Sequence, residues 1–340
     1  YRIPGTAPTT KIYNEDGSLT YGTSWGEANP LYALNIVKPK NKTRTQNQTY
    51  TFGGNWNILP EHSFKPTVSM YRALTMLDKF TPSHYNGRWI DNTREASAER
   101  HIETHYQVDA VLNYIKTFKE DHNLNVMLGL NYTQRDYDDV WAAGKGGSTN
   151  NITTVNGIAE KTTASSSTST HKMMGYFGRI NYNYKNKYLL TLTARYDGAS
   201  NLGKNNRYGF FPGASVGWRI DQEDFYPEDL KRNLQAKIRA SYGVNGNING
   251  LADWTSYGYY SGGATHFGNA AIRMGFPAND DVKWERSKTF DIGADFKIWD
   301  NRIDLTIDWF RRRTDDLITM FTMPYSTGLG SVYTNNGSLE

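Results

Sequence analysis

The sequence of 340 residues contains no cysteine, which excludes a disulfide scaffold and a metal site built on thiolates. No stretch approaches the roughly 18 consecutive apolar residues that a membrane-spanning helix needs. The net charge is only +4 and the basic residues form no stripe, so a nucleic-acid partner is not expected. A mean hydropathy of −0.69, taken alone, favours a water-soluble protein.

The chain also lacks an initiating Met and a signal peptide. It begins with Tyr1-Arg2-Ile3-Pro4 and stops at Glu340, directly after a predicted loop. Any targeting segment therefore lies outside this sequence. We expect the chain to be part of a longer protein.

What the sequence does contain is a set of long segments in which apolar and polar residues alternate. The clearest is 234–244, where Leu, Ala, Ile, Ala, Tyr and Val alternate with Gln, Lys, Arg, Ser and Gly. A period of two places the two sets on opposite faces of a β-strand. Strands in soluble proteins have about 5–6 residues, whereas a strand that crosses a bilayer needs roughly 9–11. Low mean hydropathy suits such strands, because only every second residue faces lipid.

Ten such strands are predicted, and the connections between them alternate in length. The strands are 44–58, 63–77, 103–118, 123–138, 172–184, 187–197, 208–220, 233–246, 284–299 and 301–318. Apart from the longer segment 221–232, every odd-numbered strand is followed by a short turn. Most of the other connections are long and rich in Gly, Ser, Thr and Asn. Short turns at one end and long loops at the other are typical of outer-membrane barrels.

We therefore predict an all-β protein, a transmembrane antiparallel β-barrel, with the apolar face of each strand towards lipid. Aromatic residues near the short turns, such as Trp218 and Trp299, would form the girdle at the membrane surface. The alternative is a soluble β-sandwich in which these rings close one end of the core.

Charged residues decide which face is which. A Lys or Arg that faces lipid at mid-bilayer costs about 2–4 kcal/mol, so Lys237 and Arg239 should face the lumen. The same parity predicts six lumen-lining side chains: Lys237, Arg239, Asp291, Asp295, Asp304 and Asp308. Alternatively, the four carboxylates only pair with Lys237, Arg239 and Lys297 across a polar wall.

Several motifs resemble a known family. They are YFGRINY at 176–182, ARYDGAS at 194–200, GKNNRYGFFP at 203–212, SVGWRI at 215–220 and KIRASYGVNGN at 237–247. The sequence resembles the SusC/RagA family of TonB-dependent outer-membrane transporters of Bacteroidetes. The resemblance spreads over roughly residues 103–340 and is most specific between 176 and 246.

The resemblance implies a multi-pass barrel of about 22 strands around an N-terminal plug, energised through TonB. It also implies a SusD-like lipoprotein that closes the barrel and helps to capture oligosaccharides or peptides at the bacterial outer membrane. Residues 1–340 would then be a partial barrel domain, without the plug, the TonB-contacting segment and the remaining strands. The implied function is active nutrient import, with no enzymatic activity and no cofactor. The alternatives are a passive porin, an adhesin-type barrel or a soluble carbohydrate-binding protein.

The best ligand candidate is loop 247–283, where aromatic residues lie among Gly and Asn. Aromatic faces flanked by amides suit sugar rings. The same composition suits a loop that packs against the SusD-like lid, because Tyr and Trp are enriched at interfaces. The candidate residues are Trp254, Tyr257, Tyr259, Tyr260, His266 and Phe267.

No motif predicts catalysis, and no metal site is predicted. His101 and His105 have the spacing of a zinc pair on a helix, but they lie in a strand and are interpreted as surface residues. Asp138-Asp139 and Asp280-Asp281 offer carboxylates to a hard cation or are simply solvated. Arg311-Arg312-Arg313 would bind lipopolysaccharide phosphates or form a solvated rim. Residues 140–170, rich in Gly and Ser, are predicted to form a mobile surface loop.

Overall fold

A computed structural model describes residues 11–21, 29–85 and 89–340. Long strands dominate it. In chain order they are β1 (Lys40–Gly53), β2 (Trp56–Leu59), β3 (His62–Thr81), β4 (His84–Tyr85), β5 (Ile90–Asp91), β6 (Glu95–Phe118), β7 (His122–Gly147), β8 (Ile158–Tyr184), β9 (Tyr188–Ala199), β10 (Tyr208–Arg219), β11 (Leu234–Asn247), β12 (Tyr259–His266), β13 (Asn269–Phe276), β14 (Glu285–Ile298), β15 (Ile303–Thr322) and β16 (Ser331–Leu339).

Helical structure is confined to short segments. α1 (Pro30–Tyr32) continues into a π-helical turn at Ala33–Val37, and α2 covers Glu228–Asn233. Single 3₁₀ turns lie at Val155–Gly157, Ile220–Gln222 and Tyr325–Thr327. Across the described residues, no helix combines the length and the apolar character that a bilayer crossing requires.

Within the described ranges, a 12-stranded sheet has the order β1-β3-β6-β7-β8-β9-β10-β11-β14-β15-β16, and β2 pairs with β3. The pairs from β8 to β16 along this path are antiparallel. Two short hairpins, β4-β5 and β12-β13, stand outside it. The predicted all-β, antiparallel fold class is therefore confirmed.

The described residues divide into two compact units. One comprises the residues up to Thr49 together with Tyr71–Thr104 and Asp136–Ser169. It has a small core in which Phe80, Ala96 and Ile158 are buried. The other comprises Tyr50–Met70, His105–Arg135 and Thr170–Glu340. Its core buries Ala199, Leu202, Phe211, Val244, Val282 and Trp284.

The strand register in the second unit aligns the apolar residues into continuous rows. One row of cross-strand partners runs through six neighbouring strands: Tyr182, Leu190, Val216, Ala240, Ile292 and Trp309. The next row is Tyr184, Tyr188, Trp218, Ile238, Ala294 and Ile307. Leu128, Ile238 and Ile307 are 56%, 41% and 57% exposed, so they do not form the interior of a compact core. These rows therefore form an exposed apolar surface on one face of the sheet in the second unit.

Short hairpin turns join strands as predicted. At the β8–β9 turn, Lys185 and Asn186 have φ of 53° and 54°. Two successive positive φ values define the type I′ turn, whose twist matches that of the flanking strands. The Lys187 N–H closes the turn by donating to the Tyr184 carbonyl at 2.9 Å.

Several segments differ from the prediction, including the connection predicted between the second and third strands, which contains β4, β5 and the first residues of β6. Residues 140–170 are not a mobile loop, because β7 extends through Gly144–Gly147 and β8 already includes Ser165–Ser169. Backbone pairing needs no large side chain, and buried Ile158 anchors the start of β8. Residues 319–340 contain β16, and loop 247–283 folds back as the β12–β13 hairpin. The predicted strand 44–58 is divided between β1 and β2.

Candidate functional site

The polar face of the sheet centres on Arg239 of β11. Its guanidinium contacts the carboxylates of Asp291 at 3.1 Å and Asp295 at 3.3 Å, both on β14. It also donates a hydrogen bond to Asp308 on β15. One cation therefore joins three carboxylates on two strands, and planar guanidinium suits such multiple contacts.

The reach from β11 to β15 depends on Gly293. This residue is the cross-strand partner of both Arg239 and Asp308. A Cβ at Gly293 would lie 2.8 Å from Arg239 Cζ and 2.2 Å from Asp308 Oδ1, closer than real Cβ atoms approach. Because Gly293 has no side chain, the Arg239 side chain can extend over β14 at this position and reach Asp308 on β15.

The other predicted lumen residues lie on the same face. Lys237 pairs with Asp295 in register, with 3.9 Å between Nζ and Oδ2, and Lys297 is the cross-strand partner of Asp304. Beside Arg239 lies a recess of about 300 Å³, whose lining includes Thr191, Ser215, Gly217, Lys237, Ser241 and Asp291. The structure brings all six predicted residues to one polar surface and pairs most of them. That this surface lines a transport path stays a prediction.

The six predicted ligand residues separate into three groups. Trp254 and Tyr259 pack edge to face, with 4.5 Å between ring centroids, and both rings contact Phe276. Phe276 also contacts Tyr333 on β16, 5.3 Å between centroids. These rings hold the hairpin to the sheet, and no sequence pattern had linked Tyr333 to the loop.

Tyr257 forms the second group. Its hydroxyl accepts a hydrogen bond from Arg207 at 2.8 Å and donates one to the Ser200 carbonyl at 3.1 Å. The Arg207 guanidinium also lies over the Tyr257 ring, 5.7 Å from its centroid. Tyr257 therefore ties the loop to the β9–β10 connection.

The third group is exposed. Phe267 is 92% exposed at the tip of the β12–β13 hairpin, where its ring meets His266 edge to face. Tyr260 is also exposed, on β12 opposite Met274. Tyr257 is also 56% exposed, and Trp254 and Tyr259 are 40% and 41% exposed, so rings of all three groups reach the surface. A ligand-binding role for any of the six residues stays a prediction.

In the first unit, the structure joins two motifs that the sequence analysis kept apart. His101 on β6 lies between Glu99, 3.0 Å from Nε2, and Asp139 on β7, 2.5 Å from Nδ1. The Tyr137 hydroxyl is also 3.0 Å from Nδ1. The three side chains place one ligand atom each within 4.8 Å of one another, so they form a group that could hold a metal ion. No metal site had been predicted here from the sequence.

The arginines at 311–313 are already engaged. Arg311 pairs with Glu340, Arg312 donates to the Ser287 hydroxyl at 2.6 Å, and Arg313 donates to Asp315 at 2.7 Å. Of the acidic pairs, Asp280 contacts Lys204 at 2.7 Å. Binding of phosphate by the arginines stays a prediction, but these partners compete with it.

Sequence reasoning missed one polar cluster at the short-turn end. Glu223 accepts hydrogen bonds from the Tyr188 hydroxyl at 2.6 Å, Trp218 Nε1 at 2.9 Å and Lys187 Nζ at 3.3 Å. These donors, Tyr188 first and Trp218 next, hold the pKa of Glu223 below its ordinary value. The signal was present in Trp218, which was assigned only to an aromatic girdle.

With this geometry in hand, comparison with known proteins identifies the family. The family model described as TonB dependent receptor-like, beta-barrel matches residues 4–339. The chain belongs to the TonB-dependent receptor β-barrel family. The resemblance noted from the motifs at 176–247 is confirmed.

Curated members of this family align with much or nearly all of the chain. TonB-dependent receptor P3 of Formosa agariphila is 31% identical over 98% of this chain, and TonB-dependent receptor SusC of Bacteroides thetaiotaomicron is 35% identical over 49% of it. These alignments cover 33% and 17% of the two relatives. The chain thus spans about a third or less of the relatives it matches, which are named as receptors rather than enzymes.

Among solved structures, the RagAB peptide transporter superposes with a TM-score of 0.86 at 17% identity. The match covers 96% of this chain and 37% of that chain. At this identity the likeness establishes the fold only. It agrees with the β-barrel fold of the family to which the chain belongs.

Proposed function

We propose that this chain forms part of the wall of a bacterial outer-membrane transporter that imports an oligosaccharide or peptide, driven by TonB. The observation that carries the proposal is the apolar face formed by rows such as Tyr182 to Trp309 across six strands. Such a face is costly in water, and a lipid surface covers it without cost. Family membership supports the same conclusion.

The polar face would then line the lumen. Arg239 and Lys237 together offset two of the three negative charges of Asp291, Asp295 and Asp308, and this pairing lets charged groups lie on a sheet whose other face meets hydrocarbon. The cluster would stiffen the wall, and the recess beside it would offer hydroxyl and charged groups to a passing substrate. No covalent chemistry on the substrate is part of this function.

A SusD-like lipoprotein and TonB are the proposed partners. This proposal is supported by two likenesses. The chain is in the same family as TonB-dependent receptor SusC, and it shares its fold with the RagAB peptide transporter. The exposed tip of the β12–β13 hairpin, with Phe267 and Tyr260, is the surface proposed to meet the lipoprotein or the ligand.

The proposal is tested in the source bacterium with the full-length protein. The protein should remain with the outer-membrane fraction after washes without detergent, and a deletion strain should lose growth on a specific oligosaccharide or peptide mixture. Uptake of that nutrient should stop when a protonophore collapses the proton gradient. Extraction into buffer would exclude the barrel, and uptake unaffected by the protonophore would indicate a passive porin.

A further inference from the structure

A second recess lies in the second unit, beneath the segment that follows β11. It measures about 430 Å³, within the range of about 300–1,000 Å³ of small-molecule sites. We call it the 253 recess and define it by its polar lining: His105, Gln134, Arg135, His171, Asn201 and Asp253. Met173, Ile248 and Leu251 supply an apolar side.

The 253 recess opens on the polar face of β8. His171 and Met173 have odd residue numbers, whereas Tyr176 and the residues of β8 in the apolar rows have even ones. Because side chains alternate along a strand, His171 and Met173 lie on the face opposite to Tyr176. In the proposed transporter this is the lumen face. The recess is therefore placed where a substrate passes, not where lipid lies.

One buried polar atom in the 253 recess has no hydrogen-bond partner among the described residues. Asn201 is only 2% exposed and donates from Nδ2 to the Leu251 carbonyl at 3.5 Å, but its Oδ1 accepts nothing. His171 Nδ1, in contrast, lies 3.2 Å from Asp253 Oδ1, so these two side chains already contact each other. Buried polar groups are normally paired, so Asn201 Oδ1 is an acceptor available to a bound molecule.

The charges of the recess cancel. Arg135 Nη2 lies 3.6 Å from Asp253 Oδ2, and the side chain of Asp253 is largely buried. Burial lowers the pKa of His171, against the opposing effect of Asp253, which favours a neutral imidazole at pH 7. A strand needs roughly 11 residues to cross a bilayer. Counted back from the turn at the end of β8, these residues begin after His171, so His171 lies outside the membrane-spanning part of the strand. No excess charge remains to select an ionic ligand.

We propose that the 253 recess binds one sugar unit of an uncharged oligosaccharide. A hydroxyl group both donates and accepts, so neighbouring hydroxyls match the adjacent donor and acceptor of Arg135 and Asp253. A further hydroxyl donates to Asn201 Oδ1, and the C–H face of the ring packs on Met173 and Leu251. The inference rests on the proposed function and deepens it by naming the substrate class.

The test uses the full-length protein purified from outer membranes in detergent. Isothermal titration calorimetry measures binding of neutral hexasaccharides of α-1,4-glucan, β-1,3-glucan, β-1,4-xylan and β-1,4-mannan, with a pool of defined pentapeptides as the comparison. At least one hexasaccharide should bind. Asp253→Asn should weaken that binding about tenfold or more, because hydrogen bonds to a charged group are lost.

Asp280→Asn is the matched control, because Asp280 is also an ion-paired carboxylate in a surface segment but lies outside the recess. It should bind the sugar like the wild type. Binding of pentapeptides but of no hexasaccharide would overturn the sugar assignment. Sugar binding unaffected by Asp253→Asn and by Asn201→Leu would overturn the site. Either result leaves the transporter proposal standing, because outer-membrane location and protonophore-sensitive uptake are measured separately.

Discussion

The Arg239 guanidinium on β11 contacts the Asp308 carboxylate on β15, although β14 lies between the two strands. Both residues are register partners of Gly293, which presents no side chain at this point. Three strands of the wall are thus joined by side chains in addition to their backbone hydrogen bonds. The contact therefore depends on Gly293 in β14 and on the register that places Arg239 of β11 and Asp308 of β15 on either side of it.

Gly293→Ala should destabilise the wall at this point. The new Cβ would overlap Arg239 Cζ and Asp308 Oδ1, so these two flexible side chains must move apart and lose their contact. Both are partly exposed, so the loss should cost about 0.2–1 kcal/mol. Gly243→Ala is the control, because a Cβ there meets nothing within 4 Å. Urea titration of the full-length protein in detergent measures both variants. Equal midpoints for the two would contradict the role of Gly293.

Arg239→Gln should destabilise more than Asp308→Asn does. Removing the cation takes away the ion-pair partner of Asp291 and Asp308 and leaves Asp295 with Lys237 alone, whereas removing Asp308 leaves Arg239 with two partners. In the double variant, the effects should be less than additive, since the residues interact directly. Thermal unfolding of the four proteins at low and at high salt checks this. Full additivity would mean that the pair is not coupled.

The strand pattern could be predicted from sequence because alternation is a local property. Lys237 and Ile238 are neighbours, and the cost of a charge in lipid decides which of them faces outward. The ends of β7 and β8 could not be predicted, since the Gly and Ser residues at 144–147 and 165–169 are also typical of loops. These residues form strands because their backbones pair with neighbouring strands, and such pairing is not visible in the local sequence.

The candidate sites needed long-range register. Glu99 and His101 are close in sequence, but Asp139 joins them only because β7 places it beside β6. Asn201 and Asp253 lie in separate connections and meet in the 253 recess. Residue type and spacing do not show that either set of side chains comes together. The sequence analysis therefore interpreted His101 as a surface residue and did not single out Asn201 or Asp253.

Ile238→Lys should impair assembly, whereas Ser241→Lys should not. Ile238 lies in the apolar row and Ser241 on the opposite face, beside Asp291. A lysine facing lipid costs about 2–4 kcal/mol at mid-bilayer and about 0–1 kcal/mol near the interfaces. Ile238 shares its row with Tyr184, Tyr188 and Trp218 near the short turns, so we expect a partial loss of assembly. The measurement is the heat-modifiable fraction of the full-length protein in outer membranes. A loss for Ser241→Lys alone would reverse the assignment of the faces.

The hydrogen bonds to Glu223 should make stability depend on acid pH. Its pKa lies below its ordinary value of 4.5 because Tyr188 and Trp218 donate to it. A carboxyl group with a lowered folded-state pKa contributes fully above 4.5, and its contribution is lost as the pH falls from there through the lowered value. Stability in the wild type should therefore decrease over this window.

Glu223→Gln should flatten that decrease, and it should lower Tm at pH 7 because the pairing with Lys187 is lost. Glu228→Gln is the control, since Glu228 is largely exposed and pairs only with Lys231 among the described residues. Tm is measured from pH 7 down to pH 3 in the same detergent. An unchanged slope in Glu223→Gln would assign the acid sensitivity to other carboxylates.

The ring of Trp254, which packs against the hairpin, and the ring of Phe267, at the hairpin tip, should respond differently to substitution by alanine. Trp254→Ala removes a ring packed against Tyr259 and Phe276, so it should increase proteolysis of the hairpin. Phe267→Ala removes a ring that is 92% exposed, so it should leave proteolysis unchanged. Hydrogen exchange or limited trypsin digestion distinguishes the two.

The same pair of variants tests what the hairpin tip contacts. If Phe267 meets the SusD-like lipoprotein, Phe267→Ala should reduce co-purification of that lipoprotein at wild-type levels of the barrel, because exposed aromatic rings contribute strongly to interfaces. Tyr106→Ala, which removes another exposed ring outside the hairpin, is the control. Loss of nutrient uptake with the lipoprotein still bound would assign the tip to the ligand. Retention of both would exclude Phe267 from either contact.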